Sequence, residues 1–194
     1  QNEVQWLIDN GYADARTGVD LFAEVIARLA ARDPRVHGVW VGHQDADQRA
    51  VATARLGQAG LAGQLHFAGL DFDTDDYYAG ADAYALTSRE DPFPSVLLEA
   101  LSVGTPAVAF AGTGGGAGLL ARIGSATVPG FDAGAFADAL AALLGDPALH
   151  ARQAARGIAV VEQEFCFRRY AIDLLALAGV AVPRVSVVVP NYNY

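Results

Sequence analysis

Two carboxylates, Asp91 and Glu99, flank a proline-led stretch that reads Asp91-Pro-Phe-Pro-Ser-Val-Leu-Leu-Glu99. Pro94 suits the first turn of a helix, because the N–H that it lacks would be unpaired there anyway. The spacing predicts a helix from Ser95 to Val103, closed by Gly104 and stopped by Pro106. Val96, Leu97, Ala100 and Leu101 form its apolar stripe, and Glu99 lies beside that stripe, one turn past Ser95. A carboxylate so placed costs free energy unless something uses it. The unpaired N–H groups of Ser95 and Val96, helped by the helix dipole, make an anion site. An acid one turn further in accepts two hydroxyl hydrogens, as a ribose or sugar diol offers. Together these are the contacts that a nucleotide sugar needs. The plain alternative is a solvated Glu behind an acidic loop, which costs nothing.

The elements that must position these residues alternate between short apolar runs and helical periodicity. Strands are expected at Val4–Ile8, Val36–Val41, Leu65–Ala68, Asp82–Thr87, Ala107–Phe110 and Ser125–Val128. Helices are expected at Val19–Arg32, Ala46–Ala59, Asp75–Ala79 and near Leu119–Arg122. Three more follow: Asp132 caps one to Leu144, Asp146-Pro147 caps another to about Phe165, and Arg168–Ala178 is the last. Strands separated by such helices demand parallel pairing and right-handed crossovers, hence an α/β fold with a doubly wound parallel sheet. Ligands bind such sheets beyond the carboxyl ends of the strands. Five loops meet there: Gly11–Gly18, Gly42–Asp45, Gly69–Asp73, Arg89–Ser95 and Ala111–Gly116. That rim carries Arg16, Thr17, Gly42, His43, Leu70, Phe93, Pro94, Ser95, Val96 and Gly115 as candidate ligand contacts.

Composition narrows the partners. The 194 residues are 53% hydrophobic, enough for one full core. A net charge of −9 argues against nucleic acid and against an anionic membrane surface. No apolar run is long enough to span a bilayer. Cys166 is the only cysteine, so no internal disulfide can form, and a reducing cytoplasm fits. All 13 basic residues are arginines. Asp71, Asp73, Asp75 and Asp76 lack the glycine hinge and terminal Glu of a calcium loop, so helix capping is expected and no metal. His37, His66 and His150 show no pairing in the sequence and read as structural.

Asp91-x7-Glu99, followed by Ala-Leu-Ser-Val-Gly-Thr-Pro and Gly114-Gly115-Gly116, resembles the Glu-x7-Glu signature of glycosyltransferase family 4. Ser-Arg-Glu-Asp-Pro-Phe-Pro-x-Val-x-Leu-Glu-Ala is similar to a common bacterial variant of that motif, and the resemblance covers residues 4–165. It implies the Rossmann-like C-terminal, donor-binding half of a retaining, GT-B-fold enzyme that needs no bound metal. The donor would be a nucleoside diphosphate sugar, and the acceptor a glycan or lipid-linked sugar held by a missing N-terminal domain. Bacterial surface polysaccharide synthesis is the implied setting, in the cytoplasm at the inner face of the membrane. By resemblance Glu99 binds the ribose. Asp91 contacts the donor sugar, with Glu90 as the alternative, and Arg16 meets the diphosphate.

Three positions depart from that pattern. The loop Asn10 to Phe22 resembles a family segment whose Arg and Lys neutralise the diphosphate; here Gly11 and Thr17 stand in those places. Leu119 replaces the Glu of a Gly-Gly-x-x-Glu segment, and Arg89 is the cation nearest at hand to compensate. The rival reading is therefore a degenerate, non-catalytic module that serves as a spacer or docking domain. A sugar-nucleotide epimerase is a more distant rival, with no acid/base residues located for it. The tail Arg184-Val-Ser-Val-Val-Val-Pro-Asn-Tyr-Asn-Tyr194 resembles the opening strand of a family 2 glycosyltransferase. The expected organisation is a donor-binding domain over 1–179, a linker over 180–184 and a truncated first strand over 185–194, excised from a multi-domain transferase.

Overall fold

The computed structural model describes residues 5–10, 16–43, 45–71 and 73–180. The expectations for Gly11 and the 185–194 tail fall outside them. Six strands, β1 (Gln5–Asn10), β2 (Val36–Val41), β3 (Leu65–Gly69), β4 (Ala83–Leu86), β5 (Ala107–Phe110) and β6 (Thr127–Val128), form one sheet. Its order is β3-β2-β1-β4-β5-β6, and every neighbouring pair is parallel. The order reverses between β1 and β4, and a crevice opens at such a reversal beyond the strand ends.

Alternation along the strands divides the core in two. Leu7, Ala83, Ala85, Val108 and Phe110 face helices α1 (Val19–Ala30), α2 (Ala46–Gln58) and α6 (Ala133–Gly145). Ile8, Tyr84, Leu86, Ala107 and Ala109 face α3 (Asp75–Ala79), α4 (Ser95–Ser102), α5 (Gly115–Arg122) and α7 (Pro147–Glu164). In α1 the residues Leu21, Phe22, Val25, Ile26 and Leu29 are buried at helical spacing. Asp45, Asp132 and Asp146 each accept two backbone N–H groups at the starts of α2, α6 and α7. The expected caps at Asp132 and Asp146 are thus present.

Some expectations needed correction. The helix placed near Leu119 begins four residues earlier, at Gly115, inside the glycine run. The acidic cluster does not cap α3, whose N-cap Thr74 makes no side-chain capping bond. Asp71 instead accepts the Asp73 amide at 3.1 Å and the Tyr77 hydroxyl at 3.2 Å. Among the described residues no three potential ligands are grouped to hold a metal. The histidines do pair: His37 Nδ1 and His66 Nε2 are 3.0 Å apart on neighbouring strands beside Trp6. His150 Nε2 lies 2.8 Å from the Asp82 carbonyl and ties α7 to β4. The last helix, α8 (Phe167–Leu177), buries none of its residues.

Candidate functional site

At the sheet's reversal the loops after β1 and β4 are tied together. Asp9, the penultimate residue of β1, is 1% exposed. Its carboxylate accepts the Thr87 amide at 3.2 Å and the Thr87 hydroxyl. That hydroxyl also lies 3.1 Å from the Gly18 carbonyl. Gly18 adopts φ +81°, and a Cβ there would stand 2.2 Å from the Thr87 carbonyl oxygen, so only glycine fits. The Arg89 amide donates to the Arg16 carbonyl at 2.6 Å. The Arg89 guanidinium donates to both oxygens of Asp20, at 2.8 and 2.6 Å, so the charge expected to compensate is already paired with a carboxylate. That pairing, opposed by burial, holds the Asp20 carboxyl below its usual range.

Arg16 lies near enough to Asp91 for its charge to act on that carboxyl. Burial raises the Asp91 carboxyl above its ordinary pKa, while a hydrogen bond from the Phe93 amide and the charge of Arg16 pull it back. Folding thus raises this carboxyl's proton affinity, so its contribution to stability is lost as pH rises from 3.8 through the folded value. Asp91→Asn should therefore leave thermal stability at neutral pH unchanged or higher, as differential scanning calorimetry would register. A fall in melting temperature would show the carboxylate to be structural.

The glycine run seats this loop from behind. The Asp91 amide donates to the Thr113 carbonyl at 2.9 Å, and the Gly115 amide donates to the Pro92 carbonyl at 2.8 Å. A Cβ on Gly114 would lie 1.7 Å from the Asp91 carbonyl oxygen; one on Gly115, 2.5 Å from the Phe93 ring. Gly115 was expected to approach a ligand, but its amide is used inside the protein and its bareness admits the loop. Phe93 likewise spends one ring face on Phe165, with centroids 5.4 Å apart. Leu119 is buried, so this substitute for the expected Glu points into the core.

Pro94 is the N-cap of α4, in extended conformation, and no side chain caps the helix there. Ser95 and Val96 thus open the helix close to where they were predicted, with Ser95 exposed and Val96 half-buried. Glu99 is also half-buried, and its carboxylate meets the Thr74 hydroxyl at 3.4 Å. The crossover through α3 brings Thr74 there. Sequence reading missed this contact, because nothing in the pattern links residues 25 apart. It also missed Asp9, although a carboxylate closing an apolar strand was a usable signal. Over β2 and β3 the Gly42 amide donates to the Gly69 carbonyl at 2.7 Å. This leaves His43 exposed and Leu70 60% exposed on the same rim. Thr17, half-buried, sits beside Thr87 on the other side of the reversal.

A parallel six-stranded sheet in this order, reversing between β1 and β4, is the architecture found in GT-B glycosyltransferases. Residues 10–146 match the family described as "Glycosyl transferases group 1", and the chain belongs to that family. It is 31% identical over 149 residues to the lipopolysaccharide core biosynthesis glycosyltransferase LpsE of Rhizobium meliloti, covering 73% of this chain and 40% of the relative. The fold is similar to that of HepE from Anabaena, solved in complex with UDP: TM-score 0.79, 20% identity, 92% of this chain and 49% of HepE. It is also similar to the C-terminal domain of LpcC, a glycosyl transferase group 1 protein of Francisella tularensis. There the TM-score is 0.72 at 21% identity, over 83% of this chain and 85% of that domain. The chain spans less than half the length of LpsE and of HepE. No helix among the described residues is long and apolar enough to cross a membrane.

Proposed function

We propose that this chain is the donor-binding half of a retaining family 4 glycosyltransferase. The donor is a nucleoside diphosphate sugar, and the acceptor is a glycan or lipid-linked sugar held by the protein's other half. The observation that carries this reading is the start of α4: an uncapped helix end at the sheet's reversal, with a half-buried carboxylate one turn inside it. Phosphate oxygens accept from the Ser95 and Val96 amides, Glu99 accepts from the ribose hydroxyls, and Asp91 meets the sugar. Arg16 supplies positive charge as the diphosphate leaves. The lipopolysaccharide core biosynthesis role of LpsE and the UDP bound by HepE support a nucleotide-sugar donor and a place in surface polysaccharide assembly, which this reading sets in the cytoplasm. The isolated half binds donor weakly and transfers nothing.

Glu99→Gln replaces one acceptor oxygen by a donor. Because a hydrogen bond to a charged acceptor contributes about 1.5–3 kcal/mol, nucleoside affinity should fall about ten- to hundredfold. The melting temperature should hardly move, since the Thr74 contact is long. NMR titration with UDP, GDP and dTDP sugars reads both the affinity and the base preference. A large melting drop in Glu99→Gln would assign Glu99 to the scaffold instead. The second reading, a degenerate module beside an active domain, is favoured by Thr17, by buried Leu119 and by the engagement of Arg89 with Asp20. No chemical-shift change at millimolar nucleotide would select it.

A further inference from the structure

The chain has no lysine to offer a diphosphate, and Arg89 is engaged in a forked pair with Asp20. That pair has one partner in the first turn of α1 and the other in the loop after β4, 69 residues away. The same two segments meet twice more, at the Arg89 amide on the Arg16 carbonyl and at Thr87 beside Gly18. The guanidinium also lies over the Phe131 ring, 5.9 Å from its centroid, so a third segment fixes its plane. We propose that Asp20 and Arg89 are a positioning pair, holding Arg16 and Thr17 against Asp91 and the start of α4. The inference rests on the donor-site reading, and it concerns how that site keeps its shape.

The physical argument is one of geometry over energy. The two side chains are 32% and 37% exposed, and an ion pair that wet adds little to folding stability. A planar fork on a carboxylate nevertheless fixes both distance and orientation, which a single contact cannot do. Arg16 follows Arg89 directly, because its carbonyl is bonded to the Arg89 amide. Loosening the fork lets the 16–18 segment drift, and the phosphate-side charge drifts with it. The ribose side, built on α4 and Thr74, does not depend on the fork.

The test compares Asp20→Asn, Arg89→Gln and the swapped double variant Asp20→Arg/Arg89→Asp with the unaltered chain, titrated by NMR with UDP and with uridine. Both single variants should bind UDP about tenfold more weakly and uridine unchanged, with the swap recovering most of the loss. Tighter UDP binding by Asp20→Asn would overturn the proposal, since Arg89 would then be a phosphate ligand that Asp20 holds off. So would a loss confined to Arg89→Gln, or no loss in either. If the unaltered chain binds neither ligand, the donor reading falls, and the carboxyl titration of Asp91 decides the pair alone. That titration should move to higher pH in both single variants as Arg16 withdraws from it, with Glu90 the neighbouring acid in both backgrounds. An unchanged Asp91 titration overturns the positioning role.

Discussion

Gly114→Ala should lose about 3–5 kcal/mol of folding free energy, seen as a large drop in urea midpoint with an unchanged slope. The residue has φ +147° and ψ −165°, a conformation that only glycine enters without strain. Its added Cβ would overlap the Asp91 carbonyl oxygen at 1.7 Å. That neighbour is backbone, so the clash is relieved only by moving the whole loop. Gly118 supplies the control, since it lies in α5 and a Cβ added there would meet nothing within 4 Å. Gly118→Ala should stabilise by up to about 1 kcal/mol, because alanine is the better helix former. Equal effects at the two positions would refute the seating role of Gly114.

Asp9→Ala should cost about 2–4 kcal/mol, because it strands the buried Thr87 amide and leaves the Thr87 hydroxyl only backbone carbonyls such as that of Gly18. Asp9→Asn should cost much less. It keeps one acceptor for Thr87 and brings an N–H₂ toward Tyr84. The Tyr84 hydroxyl is buried close to the Asp9 carboxylate without a well-formed hydrogen bond to it. Burial first, and then the charge of Asp9, hold the Tyr84 hydroxyl well above its usual pKa. Equilibrium unfolding of the two variants checks the order. Asp9→Asn as damaging as Asp9→Ala would mean that the negative charge itself is what the reversal needs.

Much of the fold was legible in the chain because local and global signals agree. The β2 and β5 strands and the α3 helix lie at the expected residues, and Asp132 and Asp146 cap as their positions required. The misplacements have a common cause. Helix α5 starts inside Gly114-Gly115-Gly116, where propensity disfavours a helix, because the loop packed behind it leaves no room for side chains. Glycines in that loop looked like space for a ligand; the space is filled by Asp91, Pro92 and Phe93. The positions of Arg16 after β1 and of Asp91 and Glu99 after β4 followed from motif and topology. The partners that fix them, Thr74, Thr113 and Asp20, sit on other elements and leave no local trace. His37 and His66 show the same blindness, since only the pairing of β2 with β3 brings them within 3.0 Å, diagonally across the strands.

The seating of residues 91–94 on 113–116 has a bearing on engineering. Two stretches, remote in the chain, are shaped as plug and socket, joined by backbone hydrogen bonds and packed too closely for side chains on Gly114 and Gly115. Exchanging the acidic loop for that of another transferase, in order to alter which sugar is accepted, would therefore require the bare backbone behind it to travel in the same cassette.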